Sequence, residues 1–99
     1  MILAGVCISP LALIGRHAYI SHGALIGHEA RVEDYVSVMP GASVSGETVL
    51  GEGCLIGANA TVLEKITIGA WAKIGAGAVI TGHIPKNVTA MGVPARFRV

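Results

Sequence analysis

Residues 14–32 read IGRHAYISHGALIGHEARV, and the spacing of the branched aliphatic residues within them decides the fold. Ile14, Ile20, Ile26 and Val32 stand six apart. Extended both ways, the same step lands on Ile2, Ile8, Val38, Val44, Leu50, Ile56, Val62, Ile68, Ile74 and Ile80. Ile, Leu and Val make up 29 of the 99 residues, so chance yields such an unbroken run on the order of once in several million trials. A second register follows four residues after each of these: Val6, Ala12, Ala18, Ala24, Ala30, Val36, Ala42, Thr48, Cys54, Ala60, Ile66, Ala72, Ala78 and Ile84. Most of its members are small and none is charged.

An amphipathic helix needs a period near 3.6, so a strict step of six cannot hold one helical face. Each hexad reads instead as a short strand and a corner. The branched residue fills a narrow interior and the small residue fits beside the turn. Three hexads make an 18-residue coil, and stacked coils pair as parallel strands about 4.8 Å apart. At the 18-residue spacing Gly5, Gly23, Gly41, Asn59 and Gly77 fall in one column. Gly and Asn are the residues that most readily take positive φ, so the column predicts a stack of left-handed corners. The fold class is therefore all-β, a single-stranded parallel β-helix. Residues 1–85 hold fourteen hexads, or about four and two-thirds coils, and residues 86–99 form a C-terminal tail expected to pack on the last coil or a neighbouring subunit.

Composition narrows the function. The chain is 53% hydrophobic and 13% charged, about half the charge of an ordinary domain. Such a surface is expected to be covered by copies of itself or other partners. A net charge of +1 with no basic run excludes nucleic acid as the expected partner. No apolar stretch reaches the roughly 18 residues of a membrane helix. Cys7 and Cys54 match no metal motif, and with no signal segment they read as free thiols in a reducing cytoplasm.

The hexads, with the closing run IGANATVLEKITIGAWAKIGAGAVITGHIPKNVTAMGVPAR, resemble the left-handed parallel β-helix of the hexapeptide-repeat acyltransferases. The resemblance covers nearly the whole chain, and the handedness comes from it alone. It implies a homotrimer that takes acetyl-CoA as acyl donor in the cleft between neighbouring prisms, with no metal. Outward Leu13, Leu25, Val49, Leu55 and Val79 are the candidate subunit contacts. End-to-end pairing of trimers through the N-terminal coil is a further expectation, because that coil has an open lower edge.

Within that superfamily, HEARVEDYVSVMPGASVSGE is most similar to the sialic-acid and bacillosamine type of sugar O- and N-acetyltransferases. The sequence starts inside the repeat, so the resemblance does not extend to the nucleotide-sugar-binding domain with which those enzymes begin. It implies His28 as catalytic base, Glu29 as its carboxylate partner, and coenzyme contacts on the backbone around Gly46, Ala58 and Ala76. Where those enzymes commonly carry a second histidine, this chain has Ser37, which can hydrogen-bond a ligand but is no base of similar pKa.

The chemistry fits the residue types. Acetyl transfer to a small-molecule hydroxyl or amine needs the acceptor deprotonated as it attacks, which a neutral imidazole does near pH 7. A carboxylate beside it can fix the tautomer. His28 is the third residue of its hexad, at a corner, with Pro10 one coil below and Gly46 one coil above. Corners also take polar residues for turn chemistry alone. Arg96 and Arg98 suit coenzyme phosphates or a solvated tail. His17 and His22 share the H-x4-H spacing of some zinc sites on this fold, but in the wrong hexad positions and without a third ligand. His17 instead shares a column with Tyr35, Gly53 and Trp71, which reads as a stacked outer corner. The rival reading is a non-catalytic trimeric scaffold that has lost its acceptor domain.

Overall fold

The computed structural model describes residues 1–97 as a prism with extents of 32 × 20 × 20 Å. Its first face stacks Cys7–Ile8, Leu25–Ile26, Ser43–Val44, Thr61–Val62 and Val79–Ile80. The second stacks Leu13–Ile14, Arg31–Val32, Val49–Leu50 and Thr67–Ile68. The third stacks Tyr19–Ile20, Ser37–Val38, Leu55–Ile56, Lys73–Ile74 and Thr89–Met91, and the antiparallel strand Arg96–Phe97 closes it. Every pairing from the first coil to the fourth is parallel at a register of 18, as in Ile8↔Ile26↔Val44. The chain is a left-handed β-helix of hexapeptide repeats with about 5 turns. No helix among the described residues is long and apolar enough to cross a membrane.

Two-residue strands suffice because the second residue of each points inward and meets its equivalents above and below. From Ile20 to Ile80 every member of the six-residue series is buried, and the small second register packs beside it. Thr48, the polar member of that register, donates its hydroxyl to the Ser45 carbonyl at 3.1 Å. Ile2 and Ile8 occupy equivalent positions in the first coil but are exposed at its open end.

Corners repeat as strictly as strands. From Gly5 to Gly77 the fourth hexad residue takes positive φ, and from the second coil onward its N–H donates to the carbonyl of the third residue one coil earlier: Glu47 to His28, Tyr35 to Arg16, Gly77 to Ala58. The column of Gly5, Gly23, Gly41, Asn59 and Gly77 is left-handed, with φ between 59° and 75°. So are the other two corner columns, where Leu11, Glu29, Glu47 and Lys65, and His17, Tyr35 and Trp71, adopt φ near 60°.

The last coil departs from the period. Ile84 bridges Ile68 and Ala90 pairs with Ile74, both at a separation of 16. Ile84 therefore takes an interior strand position, and the winding runs past residue 85 through Ala90. The loss of two residues leaves the Thr67 N–H without its usual carbonyl, and His83 Nδ1 accepts it at 3.0 Å. The hairpin of Thr89–Met91 with Arg96–Phe97 ends the third face.

Candidate active site

The stretch Gly27-His28-Glu29-Ala30 forms the corner between the first and second faces. Ala30 N–H donates to the Gly27 carbonyl at 3.3 Å, and Glu29 supplies the positive φ of 58° that closes the turn. Two hydrogen bonds fix this corner to its neighbours, Glu29 N–H to the Pro10 carbonyl at 3.2 Å and Glu47 N–H to the His28 carbonyl at 2.9 Å. The backbone under His28 is thus held in the stack while its side chain stands outside the core.

The imidazole and carboxylate side chains are 55% and 56% exposed, with His28 Nδ1 3.7 Å from Glu29 Oε1. That distance is too long for a hydrogen bond. The other ring nitrogen, Nε2, lies over Gly46 in the next coil. His28, Glu29 and Gly46 therefore share one corner.

Ala58 and Ala76 are stacked at a different corner, between the third and first faces, where Gly77 N–H donates to the Ala58 carbonyl at 2.8 Å. Among the described residues, the N–H groups of Gly46, Ala58 and Ala76 make no backbone hydrogen bond. Arg96 pairs with Met91, which stacks on Gly75 beside the Ala76 corner. It lines an open cavity of about 590 Å³ at the end of the third face with Asn87, Val88, Thr89, Met91 and Phe97. Arg98 lies outside the described residues. Within one chain the candidate contacts do not converge.

Ser37 sits on the third face between Tyr19 and Leu55, away from the His28 corner. His17 stacks on Tyr35 with ring centroids 5.2 Å apart, while His22 lies at the Ala58 corner, so the two do not meet. His83 belongs to the closing turn and accepts the Thr67 N–H there. Its part in the ladder was readable only from the two-residue shortening of the last coil.

The matching family model is the bacterial transferase hexapeptide (six repeats), over residues 29–64 and 47–82. Among curated relatives, the serine acetyltransferase of Salmonella typhimurium is 40% identical over 100 residues, covering 91% of this chain and 37% of its own. The solved structure of WeeI from Acinetobacter baumannii AYE superposes with a TM-score of 0.93 at 29% identity, over 97% of this chain and 48% of its own. Serine acetyltransferase from Brucella abortus strain S19, solved in complex with coenzyme A, superposes with a TM-score of 0.82 at 38% identity, over 91% and 40%. The chain spans less than half the length of the curated relatives it matches here.

Proposed function

The chain belongs to the bacterial hexapeptide-repeat transferase family, and we propose that it is an acetyl-CoA-dependent acyltransferase with His28 as general base at a subunit interface. The observation that carries this reading is the His28 corner, where a fixed backbone presents a half-exposed imidazole beside a carboxylate. In this mechanism neutral Nε2 takes the proton from the acceptor's hydroxyl or amine as its oxygen or nitrogen attacks the thioester carbonyl. Backbone N–H groups stabilise the oxyanion of the tetrahedral intermediate. Collapse expels the coenzyme thiolate, and the imidazolium returns the proton to it. Relatives named as serine acetyltransferases and a relative bound to coenzyme A support the donor and an acceptor of small-molecule size.

The faces support a trimer. Outward residues of the first face are Cys7, Leu25, Ser43, Thr61 and Val79, with no charge among them, whereas the second face carries Arg31 and the third Lys73. Turning the first face toward a threefold axis brings the His28 corner of one subunit against the Ala58–Ala76 corner of the next. Each site is then built by two chains, which explains why its parts do not meet in one. Of the apolar residues expected at the seam, Leu25 and Val79 lie on this face; Leu13 and Val49 lie on the second, and Leu55 on the third. Two free cysteines fit a cytoplasmic protein.

The test is acetyl-CoA turnover, followed by thiol release, with serine and amino-sugar acceptors. His28→Ala is expected to lose on the order of 100-fold or more in kcat. Wild-type protein that turns over no acceptor and binds no coenzyme would favour the scaffold reading.

A further inference from the structure

We infer that Gly46 is the seat of the His28 imidazole, a positioning residue that aims Nε2 by leaving room for the ring. This inference rests on the proposed transferase reading and deepens it. A Cβ built on Gly46 would lie 2.5 Å from His28 Nε2 and 2.9 Å from both Cδ2 and Cε1. No real side chain tolerates those approaches, so the ring occupies the volume that any other residue at position 46 would fill.

The other feature able to orient the ring is weaker. Glu29 stands 3.7 Å from Nδ1, and both groups are more than half exposed. Pairs of that kind contribute little and are readily screened. A half-exposed histidine held only by such a contact would sample several rotamers. Contact with the coil above limits it, and the Glu47 N–H on the His28 carbonyl holds the backbone from which the ring projects. Catalytic geometry tolerates about half an ångström of error, so displacement of this ring would matter to chemistry more than to stability.

Gly46 also gives a clean experiment. It is not among the residues with positive φ, so alanine there brings no backbone strain. Its overlap falls on the far end of a rotatable side chain, which can swing away at small cost to folding. Gly82, in the same column two coils higher, provides the control: a Cβ there meets nothing within 4 Å.

Gly46→Ala and Gly82→Ala would be compared in the full chain by steady-state acetyl transfer and by imidazole NMR. The expected result for Gly46→Ala is a fall in kcat of at least tenfold with KM for acetyl-CoA within twofold. Its thermal midpoint should match that of Gly82→Ala, and adding it to His28→Ala should cause no further loss. Wild-type protein should show cross-relaxation between the His28 ring protons and the Gly46 α protons, and the ring resonances should move in Gly46→Ala alone. A rise in KM with kcat unchanged would make Gly46 a coenzyme contact only and overturn the inference. Absence of the ring-to-glycine contact in solution would overturn it too. If wild-type protein transfers no acetyl group, the transferase reading fails by itself, and the NMR arm still decides the seat.

Discussion

The interior of the prism and its corners keep the same period but constrain the sequence in different ways. Inside, identity is restricted: from Ile20 to Ile80 each step of six brings a buried Ile, Leu or Val. At the corners conformation is restricted and identity is not. Gly41, Glu29, Tyr35 and Trp71 all adopt left-handed φ between 58° and 72°. For non-glycine residues that region costs roughly 1–2 kcal/mol each. The N–H bond that each corner donates to the coil below returns about 1 kcal/mol. Packing selects residues, whereas coil stacking imposes corners, and this freedom lets a histidine and a glutamate stand at a corner without disturbing the fold.

Five changes test that contrast, the interior ones first. Ile56 is fully buried, so Ile56→Ala should cost about 2–5 kcal/mol in urea unfolding; a loss below 1 kcal/mol would mean the interior is not close-packed. Cys54 lies in the small interior register, and burial pushes its thiol from 9.0 up to about 12. Between those values the unfolded chain has lost the proton and the folded chain keeps it. Stability should therefore fall as pH rises through that window, by at most ~1.4 kcal/mol per unit. Cys54→Ala should remove that part of the slope in parallel titrations.

The corner tests are smaller. Gly77→Ala meets no neighbour and bears only the conformational cost, about 1 kcal/mol. Gly41→Ala bears the same cost and also overlaps the Asn59 side chain, so it should lose more. Equal losses in calorimetric melting would show that crowding at the corner is absorbed freely. Glu29→Gly should gain up to about 1 kcal/mol by relieving left-handed φ. In the proposed enzyme it should also lower kcat, because the carboxylate beside Nδ1 is gone. Greater stability with full activity would reduce Glu29 to a turn residue.

The contrast also accounts for what the sequence made legible. Ile26 and Val32 announced the interior because burial selects their type, and the Gly5–Gly77 column announced one set of corners because glycine relieves the strain there. Leu11, Tyr35 and Trp71 carry no such mark, since their side chains do not ask for positive φ. Ile84 was readable as a member of the small register by counting six. Its interior place follows from the bridge to Ile68, which requires two residues to be dropped. At the candidate site, 18-residue arithmetic placed Gly46 over His28. It did not show that the ring turns its Nε2 into that space, because rotamers are not written in spacing. The same arithmetic separates Ala58 and Ala76 from the His28 corner, which directs attention to a second subunit.

The most direct measurement is calorimetric titration of the full chain with acetyl-CoA, repeated on His28→Ala and Ala76→Trp. The account predicts saturable binding at one site per subunit, retained in His28→Ala and lost in Ala76→Trp, whose bulky side chain fills the opposing corner. No saturable binding to a folded trimer would contradict it and leave the His28 corner as a turn in a scaffold.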